Sequence, residues 1–400
     1  MMKKVLLALA LIQCLYTDKA YSLDASVRGF IALDALNFEK IEGQKNNTSI
    51  GIGVLDLKIY AEQDDLTAQI KLDLDGKLDR ENNIFEEAYV TYRGFKNIRI
   101  SLGKGVVRFQ NLHWGAIENS YQDGGTLIGA DNSYRKVSRK AFAAISYGGR
   151  RMGFLDQFTL WGDSTELSTD QDGKLRVKTS GSGASKVITG YETREVTAFS
   201  TNKQIGLANK LELYPTNTTR FTFGQLYNKN RFHDKASYAF DVGFNYEGAA
   251  FEVWVDALYG FTSKLPFESY TTKAKNEYFL QVGMEYFLTE KWSLVENVEG
   301  LFFKDLQHNY NDPAVMTVNG ETYTATSAQK AKSDTTRKVI TYKLESAVKY
   351  RVSKSAHITT GVMYEKKIAK ENDVKKDFIY DIRNANRDAF QYTTSFSFWF

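Results

Sequence analysis

The stretch YTTSFSFWF, residues 392–400, places an aromatic residue at nearly every second position and stops on Phe400. Side chains alternate faces along a strand, so Tyr392, Thr394, Phe396, Phe398 and Phe400 share one side. Thr393, Ser395, Ser397 and Trp399 share the other. The first face is apolar and the second is mostly small and polar. Lipid outside and a polar interior would produce this pattern. An edge strand of a soluble sheet would alternate in the same way, so the rest of the chain must decide.

The alternation recurs throughout. In LTAQIKLDLD, residues 66–75, five apolar residues alternate with five polar ones, which is a strand period and not a helix period. KNIRISLG (96–103) and FEVWVDALYG (251–260) repeat it. About sixteen such runs can be marked, and the gaps between them alternate between short and long. Short gaps fall near 63–65, 95–96, 148–153, 214–217, 247–250, 288–291 and 352–355. Long ones fall near 38–48, 76–84, 105–133, 164–203, 229–235, 262–275, 305–337 and 368–387. That sorting fits a transmembrane antiparallel β-barrel with tight turns on one rim and long loops on the other. The expected fold is therefore all-β, with no spanning helix. No segment approaches 18 consecutive apolar residues. In lipid, closure satisfies every backbone hydrogen bond, so the first and last strands should pair. A barrel of this size should enclose an aqueous lumen. Trp399 and Phe400 are expected in the aromatic belt at the short-turn rim.

The N-terminus reads as an export leader. Lys3 and Lys4 precede an apolar run, and Ala20-Tyr21-Ser22 supplies a small-x-small site, so residues 1–22 are expected to be cleaved. The chain from residue 23 onward is then one barrel domain. The single cysteine, Cys14, lies in the leader, so no disulfide is expected after it. Mean hydropathy is −0.40. A barrel reads as hydrophilic because only alternate residues meet lipid. The net charge of +4, with both signs interleaved, does not fit a nucleic-acid binder.

Two segments resemble the general porins of Gram-negative bacteria. EEAYVTYRGFKNIRISLGKG, residues 86–105, resembles a hairpin of that family, with Lys104 where Arg is usual. DNSYRKVSRKAFAAISYG, residues 131–148, resembles the strand that follows the family's third loop, without its Pro and second Gly. The resemblance implies a sixteen-stranded, homotrimeric outer-membrane channel. Its neighbours would be outer-membrane lipid and lipopolysaccharide, and it would pass ions and small hydrophilic solutes by diffusion. It also implies that loop 105–133 folds into the lumen. Glu118, Asp123 and Asp131 would then be acidic constriction residues facing a basic wall. Strand parity puts Arg28, Lys58, Lys71 and Arg99 on polar faces. Arg135 and Arg139 share a face after the loop. The family's usual Arg near Glu86 and Glu87 is missing, which leaves ion preference open. Phe396, Phe398 and Phe400 resemble the signal read by the barrel assembly machinery.

Other readings remain. A solute-specific channel would differ in the order of its lumen residues, which sequence does not reveal. A barrel enzyme would need a catalytic group, and the four histidines (His113, His233, His308, His357) come with neither G-x-S-x-G nor H-E-x-x-H. The expectation is no enzyme and no cofactor. DLDGKLDRE (73–81) and TDQDGK (169–174) are weak calcium-loop echoes and read as solvated loops. An adhesive or structural barrel would plug its lumen or elaborate its loops. Loop 164–203, rich in Ser, Thr and Gly, reads as exposed and mobile. Gly51 and Gly53 fit either a subunit contact or a bulge.

Overall fold

In the computed structural model, the described residues are 24–41, 45–74, 85–111, 137–162, 165–168, 170, 176–180, 187–195, 204–230, 236–263, 272–307, 315–318, 321–324, 335–371, 374–375 and 387–400. The leader lies outside them.

The wall strands are β1 (Asp24–Ile41), β2 (Asn47–Gln63), β3 (Leu66–Asp73), β4 (Phe85–Phe95), β5 (Ile98–Val107), β6 (Val137–Gly149), β7 (Phe154–Gly162) and β8 (Gln204–Leu213). They continue as β9 (Thr219–Asn230), β10 (Ser237–Glu247), β11 (Phe251–Ser263), β12 (Thr272–Phe287), β13 (Trp292–Gln307), β14 (Thr335–Ser353), β15 (Ala356–Glu371) and β16 (Arg387–Trp399). Each pairs antiparallel with the next, and β16 returns to β1. The result is a closed antiparallel barrel. Among the described residues the sheet has seventeen strands rather than the sixteen read from the sequence. The additional one, Val374–Lys375, pairs with the loop end of β15 and is too short to show a period.

Closure rests on the C-terminal strand. Phe30 pairs with Trp399 and Ile41 with Ala389, with one register shift between Asp34 and Leu36. The last residue adds a reciprocal pair: Gly29 N–H donates to the Phe400 carbonyl at 2.8 Å, and Phe400 N–H donates back at 3.1 Å. The Phe400 ring lies over Gly29, where a Cβ would come within 2.0 Å of a ring carbon. Only glycine leaves that space. A second glycine, Gly53, is skipped where the β1–β2 register shifts, so it marks a bulge.

The alternation of residues 392–400 is realised as expected. Gln391, Thr393, Ser395 and Ser397 are buried on the inner face, while Phe390, Phe398 and Phe400 are exposed outside. Trp399 differs from expectation. It shares the inner face of Ser397, with its ring centroid 4.9 Å from both Phe30 and His357, so it belongs to the mouth of the lumen and not to the outer belt. The outward face elsewhere is apolar, with Leu102, Val242, Leu280 and Val298 each about half exposed. Two aromatic girdles bound it. Tyr238–Phe261, Tyr259–Tyr278 and Tyr278–Phe302 contacts ring the long-loop side. Tyr246–Phe251, Trp292–Tyr350 and Tyr147–Phe154 ring the short-turn side. Tyr238 and Tyr246 are eight residues apart on β10. At ordinary strand rise and barrel tilt this is roughly 20 Å along the barrel axis, close to an outer-membrane band of about 25 Å.

The tight rim uses residues that tolerate left-handed backbone. Asp64, Asn97 and Gly153 have φ of 51, 61 and 80° in three of its turns. The opposite rim corrects one expectation. Segment 164–203, read as a loop, contains paired strands among its described residues. Thr165–Leu167 pairs with Thr193–Glu195, and Val177–Ser180 pairs with Val187–Tyr191. The β13–β14 connection forms its own hairpin, Val315–Val318 with Glu321–Thr324. The two hairpins join through a parallel contact, Val187 to Thr324, into a four-stranded sheet. They are rooted on opposite sides of the β8–β13 arc and meet at the long-loop mouth.

Candidate functional site: the inner wall and the segment that crosses it

After β5 the chain leaves the wall and reaches the inner faces of β9, β10 and β11. Val107 and Phe109 are buried, with Phe109 1% exposed. They pack on a row of inward apolar residues, Trp161, Ala208, Leu226, Ala239, Leu258, Phe279 and Leu301, contributed by β7 through β13 in turn. In register, Ala208 faces Leu226, Leu226 faces Ala239, Leu258 faces Phe279, and Phe279 faces Leu301. This apolar stripe gives the crossing segment a seat; smaller apolar clusters, Trp254 with Val295 and Ala347, and Phe303 with Val339, lie elsewhere on the inner face. Burying one Phe there contributes on the order of 2–3 kcal/mol.

Asn111 fixes the end of the described crossing segment. Its N–H donates to Asp241 Oδ1 at 3.0 Å. Its side-chain oxygen accepts from Thr222 Oγ1 and Arg220 Nη2, both at 3.2 Å. A Cβ at Gly243 would lie 2.2 Å from the Asn111 Cβ, so the asparagine occupies the space a larger residue would fill. The Phe109 carbonyl is set against Gly224 in the same way. The start of segment 105–133 therefore folds inward. Glu118, Asp123, Asp131 and Arg135 lie outside the described residues.

The inner face of β1–β5 is more open, and it carries Arg28, Lys58, Lys71 and Arg99 beside the acids Asp56, Glu62 and Glu87. Register brings Arg28 opposite Lys58, Lys58 opposite Lys71, and Lys71 opposite Glu87. Arg28 is exposed and lies 5.3 Å from the centroid of the Tyr60 ring. Lys71 Nζ meets Asp56 Oδ2 at 2.7 Å, and Gln69 donates to Glu87 at 2.6 Å. Arg99 is exposed, on the face of Ser101, whose hydroxyl is 2.8 Å from that of Thr91. The structure thus sets Arg28, Lys58 and Lys71 in one cross-strand row, with Arg99 nearer the short-turn rim. Arg139 lies in β6, with its side chain outside the described set.

The wall of β10–β14 is acidic and closed to solvent. Asp256, Glu277 and Gln281 are 0% exposed, Asp241 and Glu299 are 1%, and Glu345 is 2%. Lys343 sits between Glu299 and Glu345, 3.6 Å from each. Asn297 donates to Glu299 at 2.8 Å and accepts from Gln281 at 3.1 Å and from Trp254 Nε1 at 3.3 Å. On this arc the inner side chains are buried, whereas Arg28 on β1 and Arg99 on β5 are exposed.

These acids were missed in the sequence because each is one polar residue in an alternating strand. The apolar stripe did leave a trace. Phe279 stands among inward polar neighbours in NEYFLQVGMEYF (276–287) and breaks the alternation. His357 is at the short-turn mouth beside Trp399, and the other three histidines lie outside the described residues. Residues 75–81 and most of 169–174 also lie outside. Among the described residues, no group of three or more His, Cys, Asp or Glu could hold a metal ion.

No family model matches the chain, and no curated protein matches it. Solved structures do. The outer membrane channel DcaP of Acinetobacter baumannii aligns with a TM-score of 0.53 and 16% identity over 96% of this chain and 99% of that one. The trimer form of OmpT, an outer membrane protein of Vibrio cholerae, aligns at 0.51 and 11% over 94% and 99%. The anion-selective porin of Comamonas acidovorans aligns at 0.51 and 10% over 94% and 100%. At these identities the likeness is one of fold. The chain has the closed-barrel fold seen in porins and other outer-membrane barrels.

Proposed function

We propose that the chain is an outer-membrane porin of a Gram-negative bacterium. It passes ions and small hydrophilic solutes by passive diffusion and catalyses no reaction. The tight-turn rim faces the periplasm and the long loops face outward. The protein assembles as a homotrimer amid lipid and lipopolysaccharide after insertion by the barrel assembly machinery, which reads Phe396, Phe398 and Phe400. The observation that carries the reading is the contrast across the lumen. Exposed Arg28 and Arg99, with Lys58 and Lys71 on the same face, oppose a solvent-excluded far wall. Water and solutes follow this more open side, where the row Arg28, Lys58 and Lys71 favours anions although Asp56 and Glu87 offset part of its charge.

The buried far wall favours a narrow path, which keeps a solute-specific channel as the second reading. Planar-bilayer recording and liposome swelling on the purified full chain test both. Stepwise conductance with swelling that falls smoothly as solute size rises supports general diffusion. Swelling by one chemical class alone supports the specific channel. A folded protein that neither conducts nor swells liposomes would overturn the proposal.

A further inference from the structure

A second site lies at the short-turn mouth. A cavity of about 240 Å³ opens there, lined by Glu252, Glu285, Ser293, Lys349, Arg351 and His357, with the β12–β13 turn closing one side. At about 30 Å³ per water it holds roughly eight waters, the volume of a small organic molecule. Glu290 and Lys291 line it from that turn, and the strands place their charges at two ends. Glu252 and Glu285 are direct cross-strand partners at the β11–β12 end, while Arg351 and His357 are direct partners at the β14–β15 end.

The two ends differ in how their charges are met. Glu285 is satisfied within the protein: Lys349 Nζ approaches at 3.1 Å and Ser293 Oγ donates at 2.5 Å. Glu252 has no cation partner among the described residues, and Arg351 has no carboxylate partner. An unpaired acid and an unpaired base thus face one cavity from opposite ends. The strands carrying them are three or more strand spacings apart, on the order of 15–20 Å at the backbone, and long side chains narrow that gap.

We propose that this cavity binds an extended zwitterion, such as a short peptide, with its ammonium on Glu252 and its carboxylate on Arg351. The Glu285–Lys349 pair between them supplies a neutral floor, and Lys349 is left to its partner. Charge-assisted hydrogen bonds at both ends select a molecule with both charges over one with either alone. The inference stands on the barrel and its rim. It does not depend on conduction, so a non-conducting protein would leave it intact.

The test is calorimetric titration of the folded full chain in detergent with triglycine, N-acetyl-triglycine and triglycine amide. Triglycine should bind at least about tenfold more tightly than either blocked form, the loss expected for one charged hydrogen bond. Glu252→Gln should erase the preference over the acetylated peptide and keep that over the amide. Arg351→Gln should do the reverse. Both positions are at the rim and make no ion pair with a described residue, so near-UV circular dichroism should be unchanged. Equal binding of the three peptides, no binding of triglycine at tens of millimolar, or an intact preference in Glu252→Gln would overturn the site.

Discussion

The inner wall of the barrel treats charge in two ways. On β1–β5, Arg28 and Arg99 reach solvent and Lys58 is half-buried. On β10–β14, Asp256 and Glu277 have no solvent contact, and Lys343 is locked between two carboxylates. Charges that stay wet keep their hydration and add little to stability, and they remain available to passing ions. Charges that lose water must be met inside the protein, and removing one partner leaves the other stranded. On the proposed porin reading, one arc acts on solutes, while the other seats the crossing segment.

The largest expected effect separates the two arcs. Lys343→Met should cost about 3–5 kcal/mol, because Glu299 and Glu345 stay buried without their cation. Lys58→Met should cost about 0–1 kcal/mol. Urea unfolding in detergent, followed by tryptophan fluorescence, measures both. Equal costs would mean that the arcs do not differ.

The seat of the crossing segment comes next. Phe109→Ala removes a buried ring whose truncation in a packed core costs about 3–5 kcal/mol. Here the loss falls on the segment more than on the backbone ladder. Single-channel conductance should rise and become noisier, with barrel unfolding changed less than in Lys343→Met. Unchanged conductance would place the narrowest point elsewhere.

A smaller and more local effect is expected at the long-loop mouth. Val187 and Thr324 are register partners, and neighbouring strands lie within disulfide reach. In a Cys14→Ser background, Val187→Cys with Thr324→Cys should cross-link under mild oxidation and lower conductance, with recovery on reduction. A pair that fails to cross-link would deny the joined hairpins. A cross-link without effect on current would place them off the solute path.

What could be read from the sequence follows from what is local. Alternation of residues 392–400 is a property of one strand, so the barrel, its inner face and its closing strand were legible. The spacing of tight turns gave the two rims. The seat was not legible, because Asn111 depends on Gly243, Asp241 and Thr222, more than a hundred residues away. The paired strands in 164–203 were hidden by its Ser, Thr and Gly content; their pairing lies within the segment, and only the Val187–Thr324 contact needs a distant partner. Trp399 was misplaced because aromatic character suggested the belt, whereas its parity with Ser397 already put it inside.

Reversal potential across a planar bilayer in a salt gradient decides whether solutes run along β1–β5. The wild type should prefer anions, and replacing Arg28, Lys58 and Lys71 all by Gln, with folding intact, should shift the preference toward cations. Cation preference in the wild type, or a triple variant with an unchanged potential, would contradict the assignment of the β1–β5 wall as the solute path.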